Sequence, residues 1–248
     1  MFVRNKFVQK RVAFPEYEII EAAYNPVDIA VKIVHDGRAD ILMKGNVQTG
    51  ALIKSVLNKD YGIMKGKLLS HVLFVESPVF HKVFLVTDSA IVTNPDLLHK
   101  KAILESAVYA LNSIGYKKPK VAVLTAVENV NPKMQETVDA AELKRLNDLG
   151  EIKNCIVEGP ISTDLALDKE ASKIKGFSSP VAGDPDILLM PNLVAGNIAV
   201  KIIRLLGQST VAGLVLGAKA PIVLTSRSTS AKSKFLSIAL SVAIANKE

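Results

Sequence analysis

The stretch from Gly183 to Arg227 reads GDPDILLMPNLVAGNIAVKIIRLLGQSTVAGLVLGAKAPIVLTSR. Two short apolar runs, 186–190 and 211–216, flank a longer segment of helical character at 194–206, and a third run follows at 222–225. Short apolar runs that alternate with helical patterns are the arrangement that builds a parallel sheet covered by helices. This stretch therefore predicts an α/β fold.

The same alternation extends outward to about residue 28. Most strand candidates are continuous apolar runs, as buried strands of parallel sheets are. The other strand candidates are 40–43, 71–75, 83–87, 121–125 and 155–157, and the helix candidates are 29–35, 51–57, 95–114, 137–149, 165–173, 194–206 and 231–246. Asn94 before Pro95 is typical of a helix start, and Gly115, Gly150 and Gly207 are typical of helix ends.

The segment 117–120, Lys-Lys-Pro-Lys, is polar and cannot continue a helix, so it predicts a domain junction. We expect one subdomain at 1–117, a second at 118–230 and a C-terminal helix at 231–248 that completes the first subdomain. That last helix is apolar on several faces, which predicts either deep burial or a role in dimer formation.

Composition favours small anionic ligands. The 31 Lys and Arg exceed the 24 Asp and Glu, giving a formal net charge of +7 that attracts anions. Trp is absent and the lysines are scattered, so nucleic acid is disfavoured. Cys155 is the only cysteine, which excludes an intrachain disulfide and is typical of a reducing compartment. With no apolar stretch near ~20 residues and no signal-peptide core, we expect a soluble cytoplasmic protein that does not bind membranes.

The turn 43–50 is the first candidate ligand site, because ligands of open α/β sheets bind beyond the carboxyl ends of strands. Its glycines allow backbone N–H groups to approach an anion at a helix N-terminus. The alternative is that they only permit a tight turn. A true P-loop has Lys and Ser or Thr after its second glycine, and Ala51-Leu52 stand there, so an NTPase is disfavoured. The candidate residues are Lys44, Gly45, Asn46 and Thr49.

Polar residues follow several other strands. Asp88 and Asn131 come after predicted strands, where Asx side chains more often cap the next helix than bind substrate. Asn192, Gly196 and Asn197 surround a predicted helix start, and a glycine inside a helix, which costs ~1 kcal/mol, suggests close approach of backbone or ligand.

Ser226 and Arg227 follow the last predicted strand. A guanidinium offers the fork geometry that phosphate oxygens prefer, and a serine hydroxyl can donate to an oxyanion. This pair indicates anion chemistry at the end of that strand.

Other chemistries lack support in the sequence. His35, His71, His81 and His99 lack the spacing of metal ligands, and Cys155, in an apolar run, is expected to be a buried inert thiol. Neither a G-x-S-x-G elbow nor a G-x-G-x-x-G fingerprint is found, so a hydrolase triad and a Rossmann dehydrogenase are disfavoured. We expect anion chemistry without a metal.

Six motifs resemble those of the phosphate acetyl/butyryltransferase family, most closely its butyryl-type members. They follow the order of that family and span almost the whole chain from Ala39. The motifs are Ala39-Asp40-Ile41-Leu42-Met43-Lys44-Gly45, Leu69-Ser70-His71-Val72, Asn131-Pro132-Lys133-Met134, Ser179-Pro180-Val181-Ala182-Gly183-Asp184, Ala195-Gly196-Asn197 and Gly217-Ala218-Lys219-Ala220-Pro221.

The resemblance implies a reversible reaction in which acyl-CoA and phosphate give acyl phosphate and CoA, with CoA as a substrate and no cofactor. It implies two three-layer αβα subdomains with mostly parallel sheets, of isocitrate dehydrogenase-like fold, and a cleft between them. Ser226 and Arg227 correspond to the family's anchor for phosphate and the developing oxyanion. Ser70 is a further binding candidate, and so is Lys67, which stands where we expect an arginine.

The chain differs from the family pattern after Arg227. Related phosphate acetyltransferases have an aspartate shortly after the Ser-Arg pair that takes the thiol proton. Here residues 228–234 read STSAKSK, and Thr229 and Lys232 stand where butyryl-type members have acids. We therefore expect either that another group or bound phosphate takes the proton, or that catalysis is weak.

The front of the chain also differs, because the family has an opening strand-helix-strand unit before the segment that begins here. We expect a shortened first subdomain whose uncovered apolar surface packs on a partner subunit, which favours a homodimer or higher homo-oligomer. A truncated sequence explains the difference equally well.

Two hypotheses from different classes follow. The first is an active phosphate acyltransferase for short or branched acyl groups, with phosphate acetyltransferase as a variant of it. The second is a non-catalytic or weakly active relative that binds acyl-CoA as a regulator. A phosphorylated-substrate dehydrogenase on the related cleft fold has little support, because no metal-binding acid cluster is evident.

Overall fold

The computed structural model describes residues 2–5, 18–22, 24–226 and 229–245. This part of the chain forms ten strands and eight helices, and the α/β class is confirmed. The strands are β1 Phe2–Asn5, β2 Ile19–Ala22, β3 Leu42–Met43, β4 Ser70–Glu76, β5 Phe84–Thr87, β6 Lys120–Leu124, β7 Ile156–Ile161, β8 Ile187–Leu189, β9 Thr210–Leu216 and β10 Ile222–Val223. The helices are α1 Pro26–His35, α2 Thr49–Val56, α3 Leu97–Ser113, α4 Gln135–Asp148, α5 Thr163–Leu167, α6 Lys169–Ile174, α7 Leu193–Leu205 and α8 Ala231–Ala245.

Eight strands form one continuous sheet in the order β3-β10-β9-β4-β5-β8-β6-β7, and β1 pairs with β2 separately. The pairs β3/β10, β5/β8, β8/β6 and β6/β7 are parallel, so the pairing is mostly parallel. Three antiparallel pairs, β10/β9, β9/β4 and β4/β5, lie between them. The long β4/β9 ladder, from Ser70↔Leu216 to Glu76↔Thr210, therefore joins the two parallel halves.

The core lies on both faces of this sheet, as the alternation along β4 shows. Val72 and Phe74 face a cluster with α3, α4 and α8, whereas Leu73 and Val75 face a second cluster with α5 and α7. A third cluster packs α1 and α2 against β3 and β10. Each fully buried aliphatic side chain contributes roughly 1.5–3 kcal/mol, so these clusters stabilise the whole architecture.

Two predicted helix boundaries were wrong. The predicted helix at 165–173 is two helices, α5 and α6, because Asp168 has an extended backbone and its carboxylate accepts from the N–H groups of Glu170 and Ala171. The cap of α3 is Asp96 rather than Asn94, since the Asp96 carboxylate accepts from the His99 N–H at 2.9 Å. In both cases a cap made by Asp stabilises a helix start inside the predicted segment.

The last helix, α8, is neither deeply buried nor uniformly apolar where it packs. Its buried face carries Ser233, Ser237 and Ser241 at a spacing of four. The Ser237 hydroxyl accepts from the Gly213 N–H at 3.0 Å, which attaches α8 to β9. Phe235 is 69% exposed, so much of the apolar surface that the sequence shows on this helix faces outward.

An ion cluster holds the start of β6 to the segments before β5 and β8. Asp184 accepts from Lys82 at 2.7 Å and from His81 at 2.8 Å, and it also pairs with Lys120. Asp186 accepts from the Lys120 N–H and from Lys82, both at 2.7 Å. Burial alone would raise the pKa of Asp184, but the hydrogen bonds from Lys120, Lys82 and His81 hold that pKa well below its ordinary value.

This lowered pKa predicts that the cluster weakens in acid. A carboxyl whose folded pKa lies below its unfolded value, about 3.9, contributes stability above that value and loses it as pH falls toward the folded pKa. The difference in unfolding free energy between the wild type and Asp184→Asn should therefore shrink between about pH 6 and about pH 3. Urea titrations at several pH values measure it, with exposed Asp148→Asn as the control. A difference that does not change with pH would contradict this account.

Candidate active site

A cavity of about 560 Å³ lies over β4 and β9, between α7 and the segments that follow β3, β5 and β10. Its size falls within the range of small-molecule sites. Four of the residues predicted from the sequence line it together: Lys44, Thr49, Asn197 and Ser226. Arg227, the other predicted catalytic residue, lies outside the described residues.

Lys44 is held by its own loop at the cavity wall. Its side-chain nitrogen donates to the carbonyl oxygens of Val47 at 2.9 Å and of Gly45 at 3.3 Å. Thr49 begins α2, and Gly45 and Asn46 belong to the same turn but do not line the cavity. The predicted turn therefore contributes an ordered cation and a helix start to the site.

Three predicted residues hold α7 in place rather than line the cavity. Asn192 caps α7 by accepting from the Ala195 N–H at 3.0 Å. A Cβ atom at Gly196 would lie 2.4 Å from the Asp88 carbonyl oxygen, so glycine allows α7 to pack on the loop after β5. The buried Asp88 carboxylate accepts from three backbone N–H groups, those of His71, Ala90 and Ile91, at 2.7–2.9 Å.

Asn197 connects α7 directly to that loop, because its side-chain amide donates to the Ser89 carbonyl at 3.1 Å. This contact fixes the cavity wall where α7 meets the loop after β5.

Ser70, another predicted binding residue, does not line the cavity. It is fully buried at the start of β4, on the face of the strand opposite His71, and its hydroxyl has no hydrogen-bond partner among the described residues.

Two predicted residues lie elsewhere. Lys67 lines a separate cavity of about 480 Å³ with Glu105 and Tyr109. Asn131 lies in the loop before α4, where its side chain accepts from the Lys133 N–H at 3.0 Å. The structure therefore does not bring these two together with Ser226.

Three basic side chains line the cavity. Lys201 and Arg204 come from α7, and Lys44 comes from the turn after β3. A smaller cavity of about 250 Å³ continues from Arg204 and Thr229 toward Lys232. Such a concentration of cations attracts multiply charged anions. Sequence reasoning missed Lys201 and Arg204, because basic residues in a helical pattern usually belong to a solvated face.

His71 is a third residue that sequence reasoning missed. It is buried in β4, lines the cavity, and its Nδ1 lies 3.0 Å from the Ser89 hydroxyl. Burial lowers the pKa of His71, while the Asp88 charge and a hydrogen bond to the Leu224 carbonyl oppose that change. The ring is therefore neutral near pH 7. Its position inside the Leu69-Ser70-His71-Val72 motif was the available signal.

Several other features bear on the chemistry. The described residues contain no group of three or more His, Cys, Asp or Glu side chains that could hold a metal ion. Burial, with a smaller effect of the Glu105 charge, raises the pKa of Cys155 to about 11, so this thiol is unreactive as predicted. Cys155 lies just before β7 rather than in a strand. In the described part of the chain, no helix has the length and apolar character required to span a bilayer.

Comparison with known proteins identifies the family. The family model described as "Phosphate acetyl/butaryl transferase" matches residues 6–242. The probable phosphate butyryltransferase of Bacillus subtilis is 46% identical over 214 residues, 86% of this chain and 72% of the relative. The phosphate acetyltransferase of Thermotoga maritima is 43% identical over 217 residues, 88% of this chain and 74% of the relative.

Among solved structures, a branched-chain phosphotransacylase from Enterococcus faecalis superposes with a TM-score of 0.87 at 36% identity, covering 95% of this chain and 86% of that one. The agreement of fold, sequence identity and a family match over nearly the whole chain leads to one conclusion. The chain belongs to the phosphate acetyl/butyryltransferase family.

Proposed function

We propose that this protein transfers a short or branched acyl group reversibly between coenzyme A and inorganic phosphate, giving acyl phosphate and CoA. The observation that carries the proposal is one cavity that combines the Ser226 hydroxyl, three cations and an apolar floor. The names of the relatives, phosphate butyryltransferase and branched-chain phosphotransacylase, agree with this reaction.

The floor of the cavity suits an acyl chain. Leu73 and Val211 come from neighbouring strands, and Leu193 and Val200 come from α7. Burying apolar surface stabilises a bound chain by roughly 25 cal/mol per Å², so a chain longer than acetyl gains binding energy on this floor. This feature favours a butyryl-sized or branched group over acetyl.

Ser226 and Arg227 are proposed as the catalytic pair. Acyl transfer passes through a tetrahedral intermediate, and a hydroxyl fixed at a strand end can donate to its oxyanion. Arg227 would hold phosphate through its guanidinium fork. Lys44, Thr49 and Asn197 are proposed to contact substrate, while Asp88, Asn192 and Gly196 position α7 and the loop after β5.

The proposed division at 1–117, 118–230 and 231–248 agrees with this site. Lys44, His71 and Ser89 come from the first part, and α7 and Ser226 come from the second, so the cavity draws its lining from both sides. We also propose a homo-oligomer in the cytoplasm. An exposed apolar row on α7, formed by Val194, Ile198, Ile202 and Leu205, supports the oligomer.

Arg204 is proposed to bind the phosphates of CoA, because it lines both the main cavity and its smaller continuation. Arg204→Ala should raise KM for acyl-CoA by about 10- to 150-fold, in line with the 1.5–3 kcal/mol of a charge-assisted hydrogen bond, and leave kcat within about twofold. Initial rates against acyl-CoA concentration measure both constants. Arg145→Ala, which removes an arginine paired with Glu142 outside this cavity, is the matched control. Equal KM values for the two variants would contradict this role.

The decisive experiment measures acyl phosphate formed from phosphate and a panel of acetyl-, butyryl-, isobutyryl- and isovaleryl-CoA. We expect turnover, with butyryl-CoA or a branched acyl-CoA preferred. The highest kcat/KM with acetyl-CoA would assign acetyl transfer instead, and no turnover with any of them would reject the proposal.

A regulatory acyl-CoA-binding protein is the second candidate, because residues 228–234 contain no carboxylate to take the thiol proton. Calorimetry distinguishes the two candidates. Acyl-CoA binding by the wild type without turnover, with binding lost in Arg227→Ala, would favour this second candidate.

A further inference from the structure

Acyl transfer to and from CoA requires a group that moves the thiol proton, and the lining of the cavity restricts the choice. Among the described lining residues there is no Asp, Glu, Cys or Tyr. The ionisable side chains there are Lys44, Lys201, Arg204 and His71. Lysine and arginine are protonated at neutral pH, with ordinary pKa values above about 10. His71 is therefore the lining group that can accept a proton near pH 7.

The geometry of His71 suits this task. Its ring lies against Gly213 on the adjacent strand β9, where an added Cβ would come within 2.8 Å of Nε2 and 3.3 Å of Cε1. Glycine at this position therefore makes room for the imidazole. On the other side of the ring, Nδ1 lies 3.0 Å from the hydroxyl of Ser89, which also lines the cavity.

The ring nitrogen that faces Ser89 can serve as a proton acceptor. The Nδ1–Ser89 contact suits one tautomer of the neutral ring, in which Nε2 carries the proton and Nδ1 accepts. In that tautomer Nδ1 accepts from the Ser89 hydroxyl. A serine that donates to a histidine has its oxygen available to accept a proton from substrate.

The groups around the His71 ring leave it unprotonated at rest but able to accept a proton. Buried Asp88, which accepts from the His71 backbone N–H at 2.9 Å, favours protonation. Burial opposes it. The cations Lys44, Lys201 and Arg204, which line the same cavity, oppose it as well. A neutral imidazole with a carboxylate nearby can take up a proton during a reaction and release it again.

We propose that Ser89 and His71 form the proton relay of the acyl transfer, and this inference rests on the proposed function. When CoA attacks acyl phosphate, the thiol proton passes to the Ser89 oxygen as the Ser89 proton passes to His71 Nδ1. The sulfur forms its bond to the acyl carbon, and the bond from that carbon to the phosphate oxygen breaks. The relay then returns the proton to the departing phosphate, which leaves as hydrogen phosphate beside acyl-CoA. The opposite direction reverses each step.

The test uses His71→Asn and Ser89→Ala, assayed from acyl phosphate and CoA across a range of pH. Both variants should lose about 100-fold or more in kcat near neutral pH, the usual contribution of general acid–base catalysis. Without the relay, the rate should depend on spontaneously ionised thiol. It should then rise about tenfold per pH unit toward the thiol pKa, about 8.5 for cysteine, whereas the wild-type rate should be nearly constant there.

The controls separate this inference from the proposed function and from misfolding. His99→Asn changes a half-exposed histidine outside the cavity and should keep the wild-type rate and pH profile. Acyl-CoA binding by calorimetry should stay within a few-fold of wild type in each variant. If His71→Asn fails to fold, Ser89→Ala, which removes one oxygen, carries the test.

A variant with the wild-type pH profile would overturn the relay, whether its rate is unchanged or lowered at every pH. No turnover by the wild type would reject the proposed function instead.

Discussion

A Lys100→Met variant is expected to lower the free energy of unfolding by about 3–5 kcal/mol. Lys100 on α3 and Asp139 on α4 form an ion pair at 2.7 Å, and their side chains are only 6% and 7% exposed. Asp139 also accepts from the side chain of Gln135 at 2.8 Å. Methionine fills the space of the lysine stem but leaves the buried carboxylate without its cation. The cost is the desolvation of an unpaired charge.

Urea unfolding near neutral pH measures this loss. The matched control is Lys173→Met, because the Lys173–Glu170 pair is 66% and 70% exposed and pairs of that kind contribute about 1 kcal/mol or less. The double variant Lys100→Met with Asp139→Leu removes both charges and should recover most of the loss, since an apolar pair often replaces a buried ion pair without penalty. A double variant as unstable as Lys100→Met alone would contradict the stranded-charge explanation.

The sequence predicted most elements of the fold but not how they join. Long periodic segments such as α3, α4 and α7 were confirmed within a few residues, because their patterns depend on neighbours in the chain. The ladder between β4 and β9 pairs residues 70–76 with residues 210–216. Such pairing depends on contacts distant in sequence, so one continuous sheet could not be read from local patterns.

The candidate site was predicted only in part, because it also depends on contacts between residues distant in sequence. Ser226, Asn197, Lys44 and Thr49 follow strands or begin helices, which are recognisable positions, and the fold brings them together. His71 lies inside an apolar strand, and apart from its place in the motif 69–72 nothing local distinguishes it from a histidine of the core. It faces the cavity because Gly213, more than a hundred residues later, leaves room for its ring.

The packing of α7 likewise depends on tertiary structure. Gly196 meets the loop after β5, and Lys201 and Arg204 of the same helix line the cavity. Asn131 and Lys67 also occupy recognisable positions but lie elsewhere, because their places in the fold are set by tertiary packing that local patterns do not reveal.

A Ser226→Ala variant is expected to lower kcat by about 10²–10³-fold, the usual effect of removing one oxyanion donor. Ser226 follows β10, which is fixed between β3 and β9, and its carbonyl accepts from the Thr229 N–H at 3.0 Å. The Ser226 backbone is therefore held by β10 and by the Thr229 N–H, and this serine lines the cavity. A donor held in advance stabilises the oxyanion without reorganisation, and the ground-state carbonyl gains much less from it.

The comparison of kcat with KM tests this role directly. An interaction made mainly in the transition state lowers kcat and kcat/KM together, so KM for acyl-CoA should change by less than about threefold. Ser113→Ala is the matched control, because Ser113 lies at the end of α3, outside the cavity, and its hydroxyl donates to the Tyr109 carbonyl. If KM rises and kcat is unchanged, Ser226 binds substrate without favouring the transition state. The pH profile separates this role from the proton relay, since Ser226→Ala should lower the rate without the rise toward alkaline pH expected for His71→Asn.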